Sequence, residues 1–303
     1  MVVVYNRGSM HLLANMSPLY LLTRSLTSQE GFAYYLSRLP FIDLIKQSFA
    51  LGLSPLYFIA LNLWGTIARD ELFLRSFSML WFVVFIVSVH HIMIEIFSIN
   101  LKKSYKYLLF FILNPILLYF AVAVNLGMMF LALSTVSCYF FLKKKYVLYG
   151  AVSIAAVFTH WSFLLVLILQ GVYAFSISRK SKTLSLFHYR SIFLIILPAL
   201  VILFSQSSFM LHGLITPSYN LKASVNDIKA VAKKNDVVYV KDPNLYFTAT
   251  YYFDGMVYVY SLKRDANKHI LIPDSRFITS FPTYPQKAFM IDNTGYFEAL
   301  ASY

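Results

Sequence analysis

The sequence predicts a polytopic α-helical membrane protein of about seven or eight spans, followed by a small α/β domain outside the bilayer. Three observations carry that prediction. Of the 303 residues, 59% are hydrophobic and 13% are charged, about half the charged share of an ordinary soluble chain. The charge is also segregated. Eight of the 13 acidic residues lie after residue 207, which leaves Glu30, Asp43, Asp70, Glu71 and Glu95 against 16 lysines and arginines before it. Finally, apolar runs of bilayer length recur before residue 207 and give way to short alternating segments after it. The expected division is therefore 1–207 as a transmembrane domain with an outer first loop at 25–75, and 208–303 as a soluble extracytoplasmic α/β domain.

A mean hydropathy of +0.64 excludes a single soluble globule, a coiled coil, a collagen and a disordered tail. Of the net charge of +13, +11 lies in the membrane half, so it speaks for a membrane partner and against nucleic acid. Cys138 stands alone, which permits no internal disulfide and no thiolate zinc site.

The spans follow from length, since crossing takes about 20 apolar residues. Residues 76–98, 105–121, 124–142 and 190–206 qualify. The run 146–178 is flanked by basic clusters at 143–145 and 179–182, and one helix would put those on opposite faces. It is therefore read as two short spans that turn at Thr159-His160-Trp161. Residues 10–24 form a short first span containing Asn15 and Pro18, with no cleavage site behind it. The stretch 50–68, with Pro55, Tyr57 and Trp64, suits an interfacial or re-entrant element. Basic loops at Lys102/Lys103/Lys106, 143–145 and 179–190 are each two spans apart and set the cytosolic side. The tail after 207 then faces outward, as expected of a multi-pass protein of the plasma (inner) membrane.

The tail changes period. Residues 224–235 read as an amphipathic helix opened by Ser224, and Val237–Val240 as a buried strand. Asp242-Pro243 opens another helix, with aspartate as N-cap and proline at the first position. Residues 256–260, 269–272 and 288–291 read as further strands.

Few residues in the membrane half can carry acid–base chemistry. Glu30 lies in Ser28-Gln29-Glu30-Gly31. Asp43 sits on an amphipathic turn where solvation alone explains it. Asp70 and Glu71 lie between Arg69 and Arg75, so a Glu71–Arg75 pair at i,i+4 is the structural explanation. His91 and Glu95 share one helix face and can bind a metal or each other; a polar contact between neighbouring helices is the preferred reading. The 23 tyrosines and 28 phenylalanines read as interface belts and core.

The order of these segments resembles the GT-C glycosyltransferases, specifically the bacterial Rgt-like members related to protein O-mannosyltransferases and the aminoarabinose transferase of lipid A. Gln29-Glu30 is similar to the family's acidic pair in the first outer loop, and residues 33–46 to the helix behind it. Ser54-Pro55-Leu56-Tyr57-Phe58 is similar to its Pro-Pro-Leu-Tyr-Tyr element. Asp70-Glu71 running to Leu74-Arg75-Ser76, Asn114-Pro115, Thr159-His160-Trp161 with Gln170, and Val237–Val240 leading to Asp242-Pro243 follow in the family's order. Leu53 stands where the family has a histidine, and Ser54 where it has its first proline. The loop Ala121-Val122-Ala123-Val124-Asn125 carries no carboxylate, where many members have one.

The resemblance implies a GT-C-like transferase that moves a sugar from a polyprenyl-phosphate-linked donor to a lipid, glycan or protein acceptor at the outer face. It implies Glu30 as the catalytic base and Arg75 and His160 as contacts of the donor phosphate. Asp43, Asp70, Glu71 and Tyr57 are then acceptor-binding or structural. No cofactor or metal ligand is assigned. A divalent metal would have to do without a second-loop carboxylate. Two alternatives stay open. A polysaccharide polymerase would suit the 125–170 stretch but leaves the α/β tail unexplained. A catalytically degenerate member with a partner-binding ectodomain would suit the missing acid.

Overall fold

The computed structural model describes residues 22–178, 221–233, 236–253, 257–260, 272–278, 287–292 and 296–300. The expected spans at 10–24 and 190–206, the basic loop at 179–190 and the strand at 269–272 lie wholly or largely outside the described residues. In chain order the helices are α1 (Ser28–Ser37), α2 (Phe41–Ala50), α3 (Leu56–Trp64), α4 (Glu71–His91), α5 (Leu101–Ile112), α6 (Pro115–Val122), α7 (Leu126–Leu142), α8 (Tyr146–Thr159) and α9 (Phe163–Ser178). The C-terminal part adds α10 (Leu221–Val231), β1 (Val237–Val240), α11 (Tyr246–Phe253), β2 (Val257–Tyr260), β3 (Phe277–Ile278), β4 (Ala288–Ile291) and β5 (Phe297–Leu300).

The chain forms two compact units, and they do not divide at residue 207. Thr23–Asp43 belongs with Thr216–Tyr303, while Leu44–Ile215 belongs with Met1–Leu22. The segment expected as the start of an outer loop of the membrane domain is thus part of the α/β unit.

In the helical unit, α4 and a five-residue π-turn (Ile92–Ile96) make a continuous run of 26 residues with a mean hydropathy of 2.1. Among the described residues it is the helix long and apolar enough to cross a membrane; a second qualifies if α5 and α6 count as one. Asp70 caps α4 by accepting the Phe73 N–H at 2.9 Å, which satisfies one of the donors that a helix start leaves unpaired. The expected span 105–121 is broken. α5 and α6 meet at 68° because Pro115 cannot donate to the preceding turn and Asn114 caps the Ile116 and Leu117 N–H groups instead. The expected helix at 33–46 is also two helices, α1 and α2, parted at Pro40 for the same reason.

α7 is buried from Gly127 to Thr135 and again at Ser137 and Cys138, so it is the central helix of this unit. Polar ties hold its neighbours. Ser137 Oγ meets Ser153 Oγ of α8 at 2.9 Å, and Gln170 of α9 donates to Cys138 Sγ while accepting from Tyr149 OH. Small and amide-bearing residues of this kind let apolar helices approach closely and pair their polar groups. The run 146–178 does divide into two helices, with His160 as the C-cap of α8.

The α/β unit holds a five-stranded sheet in the order β3-β2-β1-β4-β5, parallel except for β5. Val240, Val257 and Val259 pack with Phe247 and Ala249 of α11, and Val238, Phe289 and Ile291 with Val225 and Ile228 of α10, in two apolar clusters that Leu245 and Phe253 both touch. Tyr239, Ala288 and Met290 line the opposite face. Asp242 and Pro243 open the segment before α11 as the sequence anticipates, with Asp242 accepting the Asn244 N–H. The amphipathic helix expected at 224–235 is displaced: it is described from Leu221, with Ser224 inside it, and it ends at Val231. Asp236 stops it by accepting the Lys233 N–H at 2.8 Å and the Lys287 N–H at 3.0 Å.

Candidate functional site

Glu30 is the third residue of α1, and its surroundings explain the helix start. Thr27, the N-cap, accepts the Glu30 N–H through its hydroxyl, and Glu30 Oε2 accepts the Thr27 N–H at 2.8 Å. This reciprocal capping box satisfies two donors at the positive end of the helix dipole. Arg24 Nη2 lies 3.5 Å from the same carboxylate oxygen, and both side chains are only about 2% exposed. The signal was present in the sequence as Arg24, Thr27 and Glu30 at three-residue spacing. Neither Arg24 nor Thr27 follows from the family likeness, and both are found by reading the capping pattern.

The α/β unit holds this turn through its own residues. Tyr252 OH accepts the Leu26 N–H at 3.0 Å, Thr248 Oγ1 donates to the Thr27 carbonyl at 3.1 Å, and Ser25 Oγ accepts the Leu221 N–H. Lys222 Nζ donates to the Thr23 carbonyl. Aromatic edges complete the seat, with Phe32 on Phe247 at 5.3 Å and Tyr34 on Tyr251 at 4.8 Å. Gly31 is required here by close approach: a Cβ would stand 2.7 Å from the Thr248 backbone nitrogen. Asp43, the last residue of this N-terminal segment of the unit, is exposed in the first turn of α2, as its solvated reading anticipates.

The other sequence candidates belong to the helical unit. Arg75 is fully buried in α4; its Nη1 donates to the Leu22 carbonyl at 2.7 Å and stands 3.9 Å from Glu71 at i,i+4. Asp70 is exposed and serves as the α4 cap. Tyr57 is buried against Phe58 and Phe77. His160 accepts the Ser162 N–H through Nδ1 at 3.1 Å, so the neutral ring carries its proton on Nε2. Burial holds the His160 pKa below the usual histidine value, which favours that neutral form. Its ring rests on Phe130 at 5.3 Å.

The connection at 121–125 is buried from Ala121 through Val124, and the Ala123 carbonyl accepts from Ser78 Oγ at 2.7 Å. It offers backbone, not carboxylate, chemistry. Among the described residues, no group of three or more His, Cys, Asp or Glu side chains is placed to hold a metal ion.

A separate cluster surrounds Glu95 on the π-turn. His91 Nδ1 lies 2.7 Å from Oε1, while Lys143 Nζ at 2.6 Å and Tyr139 OH at 3.0 Å meet Oε2. His91 and Glu95 therefore bond each other and tie α4 to α7. The α7 partners, Tyr139 and Lys143, have no sequence signal, because helix pairing brings them in from a distance of 44 residues and more.

Comparison with protein-family models, curated proteins and solved structures found no match for this chain.

Proposed function

We propose that the protein is a multi-pass transferase of the plasma (inner) membrane with its α/β unit on the outer face. It moves a sugar from a polyprenyl-phosphate carrier to a lipid, glycan or protein acceptor. The observation that carries this reading is Glu30, a carboxylate beside a buried arginine at a helix start that the α/β unit holds in one orientation. The apolar run of α4 and the shorter apolar helices at 126–142, 146–159 and 163–174 support the membrane part of the reading. In the proposed reaction the acceptor hydroxyl attacks C1 of the sugar and loses its proton to Glu30. The C1–oxygen bond to phosphate breaks, and the carrier leaves as its phosphate anion. A cationic group must stabilise that anion through charge-assisted hydrogen bonds.

A second reading, a catalytically silent member whose α/β unit binds a partner, is favoured by one observation. The capping box by itself accounts for Glu30.

The experiment that separates them uses membranes bearing the full chain and labelled polyprenyl-phosphate sugars. Glutamine can occupy the same capping position, so Glu30→Gln keeps the helix start and removes the base. Transfer by the parent protein and a loss of about 10²–10⁴-fold in the variant is the expected outcome. Full activity in Glu30→Gln moves the base to Asp70 or Glu71. No product from the parent establishes the second reading, and products that lengthen with time identify a polymerase.

A further inference from the structure

One end of the helical unit concentrates positive charge. Ser104 Oγ, on the first turn of α5, lies 3.0 Å from His90 Nδ1 at the end of α4, and Glu95 joins the π-turn to Lys143 at the end of α7. The start of α5, the end of α4 and the α7–α8 turn therefore share one end. Lys102, Lys103 and Lys106 project from α5, and Lys144 and Lys145 from the α7–α8 turn; all five are exposed. Among the described residues none of the five has an ion pair. Glu95 is the acid of this end, and it is already engaged by Lys143 and His91.

Large apolar and aromatic side chains stand exposed between these lysines. Leu101, Tyr105 and Tyr107 are 50–55% exposed on α5, and Tyr146 and Val147 are 65% and 87% exposed at the start of α8. A solvated charged face would not carry them. Tyrosine with its ring in acyl chains and its hydroxyl among headgroups, next to lysines at phosphate level, is the composition of a membrane interface.

We propose that this end of the helical unit is a docking surface for anionic phospholipid headgroups, with the two lysine groups converging on lipid phosphates of one leaflet. The inference rests on the membrane reading above. Charge complementarity selects the occupant: a polybasic segment at a membrane surface gains about fivefold in affinity for anionic lipid with each lysine.

Carbonate extraction of membranes bearing the full chain tests the membrane reading first, and release of the chain into the soluble fraction ends both readings. With the chain retained, the full-length protein is purified in neutral detergent and its bound phosphatidylglycerol and phosphatidylcholine are counted by native mass spectrometry. Preferential retention of phosphatidylglycerol is expected. Lys102→Gln/Lys103→Gln and Lys144→Gln/Lys145→Gln should each lower that retention at least fivefold, and Lys102→Arg/Lys103→Arg should keep it. Equal retention of both lipids, wild-type retention in both glutamine variants, or displacement of the lipid by an equal concentration of soluble glycerophosphate overturns the proposal. The last outcome would instead mark a site for free phosphates.

Discussion

Glu30 and Glu95 are held by the same kinds of partner and in opposite ways. Each carboxylate meets a basic side chain and a hydroxyl, Arg24 and Thr27 for Glu30, Lys143 and Tyr139 for Glu95, and Glu95 meets His91 besides. Arg24 and Thr27 lie within six residues of Glu30 on a single turn of chain, and the group is 2% exposed. Tyr139 comes to Glu95 from 44 residues away, and Glu95 keeps 31% of its surface exposed. A carboxylate bound by its own helix start depends on that start forming. One bound across two helices reports how those helices pack.

The largest effect that can break this comparison is at Gly31. Its neighbours are the backbone nitrogen and Cα of Thr248, at 2.7 and 2.8 Å from an added Cβ. Gly31→Val should cost about 3 kcal/mol, the upper part of the overpacking range, since backbone cannot swing aside. Thermal melting of the full chain reads it. A loss under about 1 kcal/mol would mean that α1 is held by its own turn alone.

Next is Glu30 itself. Glu30→Ala removes the acceptor of the Thr27 N–H and the partner of Arg24, and should cost about 1.5–3 kcal/mol. Glu30→Gln should cost less than half as much, because the amide oxygen still caps. Equal losses would show that the charge, not the cap, matters to the fold.

Asp236 tests a third arrangement, a carboxylate bound by backbone from two separate segments. Burial raises its pKa, but the N–H groups of Lys233 and Lys287 and the nearby lysine charges outweigh it, so the folded pKa lies below the ordinary carboxylate value. The sign follows from linkage. The bonus is fully present above the unfolded pKa of about 3.9 and is lost as pH falls through the lower folded value. Asp236→Asn should flatten that acid limb of the stability curve. An unchanged limb would show that Asp236 is not protonated across it.

The smallest effect is expected at Glu95. A partly exposed cluster is screened by solvent, so a double-mutant cycle of Glu95→Gln with Lys143→Gln should give the smallest coupling of the set. That coupling should shrink in high salt. A coupling that ignores salt would mean the π-turn end is dry.

Much of the local structure was legible in the residues themselves. The Asp242-Pro243 opening, the β1 strand, the Glu71–Arg75 pair and the break at His160 are signalled by neighbours a few positions apart, and they appear where the sequence put them. Asn114-Pro115 carries the break in the 105–121 run as well, although hydropathy does not mark it because both halves are apolar. The Thr27–Glu30 cap is likewise written in the chain, as a threonine and a glutamate three residues apart.

By itself the sequence determined where helices and strands start and stop, because caps, prolines and hydrophobic period act over a few residues and need no partner. Only the tertiary structure decided which unit each segment joins. Residues 23–37 are polar enough for a loop, yet they close onto Thr248, Tyr252 and Leu221, about 200 residues further along. Composition cannot encode that choice. It is settled by the fit of Gly31 against backbone and of Phe32 and Tyr34 against Phe247 and Tyr251, and that surface exists only once β1 and β2 have paired around α11.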